Sequence, residues 1–369
     1  MKKYIKPIIT LMILSIFFTY IIKIMGASNM FNTIMNTSYD LLLNTVLYIM
    51  SIAVITGAFS AVLSYTRVID LINLILSPLM RPIYGLPGAA SLGIISTFFS
   101  DNPAMIALIK DKGFIKHFKY YEVPCLCNLG TSFGMGFIVW IFMGSQGNNG
   151  EFLKPATIGL VGAFIGSIIT TRLMLYFSKK KMINNSDYLD FSSSEEKEQE
   201  ESNFLDAILN GGKKGVEVGI EIIPGVLIIC SFVMLLVSGP SNINGSLQYT
   251  GSAYEGINLI GIFGKRTLSL FNKLFGFTSL ESITFPLTAL GSVGASLGLV
   301  PELVKNKLIT PNDIAVFTAM GMCWSGYLST HIAMMDSLNL RSLVKTSILI
   351  HTFGGLCAGI SAHLIYMIV

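Results

Sequence analysis

LPGAASLGIISTFFSDNPAMIALIKDK, residues 86–112, sets an acid, an amide and a proline (Asp101, Asn102 and Pro103) in the middle of an otherwise apolar run. One crossing of a bilayer takes about 20 apolar residues, so a segment this short with a polar centre cannot cross twice as two full helices. It reads as a re-entrant hairpin. Lipid tolerates broken backbone only where protein or a water-filled cavity satisfies the freed N–H and C=O groups. The tip around Asp101 is therefore expected inside the protein, beside a polar cavity.

The pattern returns in residues 279–307, SLESITFPLTALGSVGASLGLVPELVKNK, which begin as a helical run, break in the small-residue stretch 291–296 and end on a basic terminus. Laid without gaps on the first copy, Lys110 and Lys112 fall on Lys305 and Lys307, and Asp101 falls on Ser296. Discontinuous helices at corresponding places in two halves are the best sequence pointer to a transporter binding site.

Of 369 residues, 52% are hydrophobic and 12% charged, about half the roughly 25% of a soluble globular domain, and the mean hydropathy is +0.66. This is a polytopic membrane protein. The formal net charge of +4 is small and its basic residues sit at segment ends, where they set topology; a nucleic-acid partner is not expected. The five cysteines, Cys125, Cys127, Cys230, Cys323 and Cys357, all lie in apolar runs, which argues for small buried side chains and against a disulfide or zinc framework.

Residues 1–26 carry Lys2, Lys3 and Lys6 ahead of an apolar run and are read as an uncleaved first crossing, followed by an external loop to residue 40. Residues 41–63 form the next span, ending at Arg67 on the cytoplasmic side by the positive-inside rule. Apolar positions at helical spacing in residues 66–84 predict an amphipathic interfacial helix. After the first hairpin, residues 121–144 cross outward and 157–177 cross back to Lys179, Lys180 and Lys181. Residues 178–212, with SSSEEKEQEE at their core, lack the apolar content to fold alone and are read as a cytoplasmic tether. Residues 216–238 cross outward, 239–256 form an external loop, and 258–275 repeat the interfacial helix. The second hairpin follows, then crossings over 312–335 and 343–368. Three crossings separate corresponding points of the two units, so the repeats are inverted. The divisions are 1–40, 41–177, 178–212 and 213–369.

Asp101 is costly to bury charged, and intramembrane acids are functional hypotheses by default. It is a candidate coupling-ion ligand, proton carrier or substrate acceptor; alternatively it caps the helix that starts at Pro103. Asn128, Thr131 and Ser132 stand near Gly130, Gly134 and Gly136. They are read either as sodium or substrate ligands, or as part of a small-residue helix contact. Glu221, one turn beyond Glu217, lines the cavity or pairs with Arg172. His331 and His351 are proton-relay candidates, with a satisfied buried imidazole as the alternative. No nucleophile, base and orienter set is present, and no P-loop.

The order of elements resembles the concentrative nucleoside transporters. The hairpin units resemble the nucleoside-recognition Gate domains shared with spore maturation proteins and the membrane core of ferrous iron transporters. The resemblance runs from about Leu41 to the C-terminus and is carried by GLPGAAS (85–91), SDNPA (100–104), GSVGAS (291–296) and the run from Cys323 to His331. In that family the first tip resembles Gly-Gln-x-Glu and the second hairpin carries a Glu; here the first tip is Ser100-Asp101-Asn102-Pro103 and the second has no carboxylate. The helix after the second hairpin offers Ser325, Ser329, Thr330 and His331, but no Asn.

The expectation is an all-α polytopic membrane protein built as an inverted repeat of span, interfacial helix, re-entrant hairpin and two spans, with one extra N-terminal helix. It is read as a non-enzymatic secondary transporter of a small polar solute, nucleoside-like by resemblance, with Asp101, Asn102, Asn128, Ser292, Ser296, Ser325 and Thr330 on the substrate. Ser100, Asp101, Thr131, Glu221 and His331 are assigned to ion or proton coupling, with Na+ or H+ as coupling ion and no other cofactor or metal. A non-transporting assembly partner, or a carrier of organic anions or other metabolites, are the alternatives. Expected partners are the substrate and the lipid bilayer, with a homo-oligomer left open. The chain is placed in the cell membrane, N-terminus cytoplasmic and C-terminus external.

Overall fold

The computed structural model describes residues 2–182, 203–243 and 246–369. The tether's SSSEEKEQEE core and the Ser329 side chain lie outside the described residues. Helix α1 (Lys2–Met25) ends at Gly26, whose φ of 81° turns the chain. Helix α2 (Ala27–Asp40) then runs through a π-helical turn, Leu41–Val46, into α3 (Leu47–Tyr65). The loop expected over residues 27–40 is thus helix. Its sequence, ASNMFNTIMNTSYD, is too polar to read as a span, but the buried face of Met30, Thr33 and Thr37 packs against the remote 249–254 loop.

Helix α4 (Val68–Tyr84) lies ahead of the first hairpin, whose arms are α5 (Ala90–Phe99) and α6 (Asn102–Lys110). A single turn, α7 (Lys112–Ile115), leads to α8 (Val123–Thr131) and α9 (Gly136–Ser145). These two are one crossing broken in the middle, where an unbroken span was expected. Helix α10 (Leu153–Lys181) crosses whole and ends on Lys179, Lys180 and Lys181, cations that suit a helix C-terminus.

The second half repeats the order. Helix α11 (Phe204–Gly225) starts where Asn203 accepts from the Asp206 N–H, takes in residues assigned to the tether, and passes through a π-helical turn, Val226–Cys230, into α12 (Ser231–Val237). The following loop carries a two-stranded antiparallel ribbon, β1 (Ser241–Ile243) and β2 (Ser246–Gln248), with Ser241 opposite Gln248. Next come α13 (Leu259–Phe275) and the hairpin arms α14 (Thr284–Ala289) and α15 (Val293–Lys305). A second broken crossing, α16 (Pro311–Cys323) and α17 (Tyr327–Ser337), precedes α18 (Val344–Ile368). Thr310 and Asp313 start α16 with a reciprocal capping box.

Corresponding points carry corresponding conformations. Gly85 after α4 and Gly276 after α13 both take positive φ, 78° and 71°. Met135 and Gly326, at the two crossing breaks, do so at 54° and 65°. A break in each half lets two crossings meet at mid-depth. The stretch 123–145 is largely buried, whereas α1 is largely exposed and faces outward. Helices α3 and α11 cross backbone to backbone, because a Cβ added at Gly57 would overlap the Gly211 carbonyl and one at Gly215 would overlap Ala53. Glu122, 1% exposed, ties α8 to α4 through Arg81 Nη1 at 2.8 Å. The result is an all-α polytopic membrane fold.

Candidate functional site

The first hairpin delivers Asn102 to the place where the two broken crossings meet. Pro103 opens α6 with its φ already helical, so Asn102 becomes the first residue of the arm and Asp101, at φ −163° and ψ −179°, the extended residue before it. Asn102 is 5% exposed. Its side chain lies against Gly134 on one side, where an added Cβ would sit 2.7 Å from Nδ2, and against Gly326 on the other. Neither position admits a side chain while Asn102 is there. A Cβ on Gly326 would also overlap Thr330 Oγ1, so Thr330 shares this junction. Asn102 Nδ2 donates to Asp101 Oδ1 at 2.9 Å and to Ser325 Oγ at 3.4 Å. Its Oδ1 is buried with no hydrogen-bond partner. Leaving such an atom bare costs about 1–3 kcal/mol, and Met135, a non-glycine at positive φ, adds strain of order 1–3 kcal/mol in the adjoining break. Unpaid costs of this kind gather where a ligand completes the structure.

The tip also floors a cavity of about 1050 Å³ bounded by α3, α4, α5 and α11. Ser100 and Ala104, which flank Asp101 to Pro103, line it, with Thr56, Ser60 and Ser96 along its walls and Arg67, Asp70, Asn210 and Lys214 also bordering it. Ser60 Oγ donates to the Phe99 carbonyl at 2.8 Å, fixing α3 to the end of the first arm. Asp101 is part-exposed and makes no capping bond to its helix. Glu221, exposed on α11, lies within electrostatic range of it. Arg172, weighed as a partner for Glu221, instead donates to the Pro82 and Ile83 carbonyls.

The remaining candidates fall elsewhere. Ser292 ends the second hairpin's break, accepts from the Ala295 N–H at 3.2 Å and lies against Gly225 of α11. Ser296 is fully buried and donates to Val293 of its own helix at 2.8 Å. Thr131 donates to the Cys127 carbonyl and Ser132 to the Asn128 carbonyl. Asn128 is fully buried in a closed network: its Nδ2 donates to Thr170 Oγ1 at 2.9 Å and to the Ser347 carbonyl at 3.1 Å, and its Oδ1 accepts from Ser347 Oγ. Thr170 continues to His351 Nδ1 at 3.2 Å, and His351 Nε2 donates to the Cys323 carbonyl. This chain of bonds joins α8, α10, α18 and the end of α16, and among the described residues no hydrogen bond joins it to the hairpin tip.

His331 packs beside His351 with ring centroids 4.7 Å apart and the ring planes inclined at 56°. Its Nδ1 lies 2.5 Å from the Tyr327 carbonyl and must carry the hydrogen, which leaves Nε2 a bare acceptor; that atom is buried without a partner. Gly134, Gly326 and the histidine pair were not singled out together from the sequence. A Gly or Met without a neighbouring proline gives no local signal that a crossing is broken there.

No family model matches this chain, and no curated protein matches it. Solved structures do. CNTnw, a concentrative nucleoside transporter, in an inward-facing substrate-bound state is 14% identical, with a TM-score of 0.58 over 87% of this chain and 75% of that one. A CNTnw variant in an intermediate state aligns over 98% and 84% with a TM-score of 0.51, and another in an outward-facing state over 87% and 75% with 0.52, at 14% identity each. The chain therefore has a concentrative nucleoside transporter-like fold.

Proposed function

We propose that this chain is a secondary active transporter of a small polar solute, nucleoside-like in size and hydrogen bonding, working by alternating access between two inverted units, residues 41–177 and 213–369. The observation that carries the reading is Asn102, wedged between the breaks of both crossings with its Oδ1 unsatisfied, at a hairpin tip whose Ser100 and Ala104 line a cavity. A bare oxygen there suits a cation or a substrate N–H or O–H donor. Asp101, with Glu221 in electrostatic range, supplies negative charge beside it and is assigned to the coupling ion, Na+ or H+. Ser325 and Thr330 complete the substrate side of the junction. Asn128 and Ser296 support the scaffold, because their polar atoms are already used.

The cavity borders Arg67 and Lys214, which the positive-inside rule places in the cytoplasm. The described conformation is then open inward, with the N-terminus cytoplasmic and, after seven crossings, the C-terminus external. The test is uptake of labelled uridine and adenosine by the reconstituted protein under a sodium or a proton gradient. Saturable, gradient-dependent uptake lost in Asn102→Ala supports both the activity and the site. A well-folded protein that moves neither nucleoside directs the same assay to organic anions and other metabolites.

A further inference from the structure

A second candidate site lies away from the hairpins, at the basic end of α10. Two adjoining depressions of about 350 and 320 Å³ share Lys181 and Leu343 and form one groove between the last turns of α10 and the start of α18. Lys180 and Lys181 border it, Phe177 walls it one turn up the helix, and Ser342 and Thr346 face them from the other side. No carboxylate lines it, and none lies within 4.0 Å of the Lys179, Lys180 or Lys181 ammonium among the described residues. Lys179 and Lys119 both sit over the single ring of Tyr121, at 5.9 and 6.0 Å. Two cations drawn to one quadrupole mark a local excess of positive charge among the described residues.

Two further observations point to an anion with an apolar tail. Leu343, the residue before α18, offers no capping side chain, so the positive end of that 25-residue helix meets the groove without a polar cap. Phe177, 45% exposed, carries the apolar wall outward toward the bilayer from the lysines. Cations on the last turn of a crossing helix stand at headgroup depth, and basic pockets between such helices bind anionic lipid headgroups.

We propose that this groove binds an anionic glycerophospholipid, its phosphate on Lys180, Lys181 and the hydroxyls of Ser342 and Thr346, its acyl chain along Phe177. The lipid clamps α10 to α18 at the end remote from the hairpin tips. The inference stands on its own observations and does not require the transport reading.

Native mass spectrometry of the detergent-purified full chain, titrated with equimolar phosphatidylglycerol and phosphatidylcholine, tests it. Preferential retention of phosphatidylglycerol is expected, falling roughly fivefold for each lysine removed in Lys180→Gln and Lys181→Gln. Phosphatidylglycerol, but not inorganic phosphate, is expected to raise the melting temperature of the wild type and not of the double variant. These lysines are exposed, so the double variant is expected to melt with the wild type in detergent alone. Equal retention of the two lipids, or undiminished retention by a folded double variant, overturns the proposal. So does an equal stabilisation by inorganic phosphate, or lipid binding that emerges only when residues 192–201 are deleted, which would assign the groove to that acidic segment.

Discussion

Asp101 and Ser292 hold the same place in the two hairpins, each the extended residue that closes the break, yet only Ser292 caps the helix it precedes. Ser292 Oγ accepts from the Ala295 N–H at 3.2 Å, while Asp101 makes no such bond and accepts from the Asn102 side chain instead. The ungapped register, which set Asp101 on Ser296, is off by four residues. The first hairpin divides its helices as ten residues and nine, the second as six and thirteen, so the break has moved by about one helical turn.

Because the Asp101 carboxylate is not spent on a cap, Asp101→Asn is expected to leave the melting temperature close to wild type. Gradient-driven uptake is expected to fall by between roughly 5- and 150-fold, the range of a typical coupling free energy. Substrate counterflow, which needs no net ion movement, is expected to persist. Equal loss of driven uptake and counterflow would instead make Asp101 a substrate ligand, and no change in either would remove it from the mechanism.

Asn128→Ala separates a scaffold role from a binding role. It strips partners from Ser347 and from Thr170 at the core of the bundle, and each buried group left unpaired costs about 1–3 kcal/mol. The expected outcome is a lower melting temperature in detergent with KM for the transported solute unchanged. A raised KM at unchanged stability would return Asn128 to the substrate site.

What the sequence made legible follows from where the physics is local. An Asp-Asn-Pro break in an apolar run is a local event, and it marks where the first hairpin turns, with Asn102 as the first residue of the second arm. The breaks in the two crossings are not local. Met135 takes positive φ without a glycine, and Gly326 is one of 35 glycines; at each break a glycine packs against Asn102, which arrives from another element. Helix α2 was missed for the same reason, since the loop that covers its polar face lies more than 200 residues away. Asn128 reads as a ligand candidate because it is an intramembrane amide; its three side-chain hydrogen bonds, to Thr170 and Ser347, are visible only once α10 and α18 are packed beside it.

The crossing of α3 and α11 sets a third expectation. Gly57, Gly211 and Gly215 let the two backbones touch, and an added Cβ at any of them meets main-chain atoms that cannot rotate away. Gly215→Leu is expected to destabilise the detergent-solubilised protein by at least the 1–3 kcal/mol typical of overpacking, seen as a drop in melting temperature. Gly212→Leu, three residues earlier, meets the Val54 side chain at 3.5 Å and is expected to be milder. A milder Gly215 variant would mean that the helices separate at little cost, and the crossing would then be a moving contact instead of a fixed one.

Glu255 organises the loop that covers α2. It is 1% exposed and accepts from Ser241 Oγ and Thr250 Oγ1, both at 2.7 Å, and from the N–H groups of Thr250 and Gly251 at 3.0 and 2.9 Å. Burial pushes its carboxyl up, but these donors together outweigh it and hold the group below the usual carboxylate range. A group depressed on folding contributes stability that is complete above its unfolded value, about 4.3 for Glu, and is lost as pH falls through the lower folded value. The loop holds α2 through Asn29 to the Tyr249 carbonyl, Asn36 to the Gly251 carbonyl and the Tyr254 N–H to Thr37. Amide exchange at Thr250 and Gly251, corrected for intrinsic rates, is therefore expected to stay slow from neutral pH down to about 4.3 and to accelerate below it. Glu255→Gln is expected to exchange faster at neutral pH and to lose the acid dependence. Protection in the wild type that does not change with acidification would show that the donors hold the loop without the carboxylate's charge.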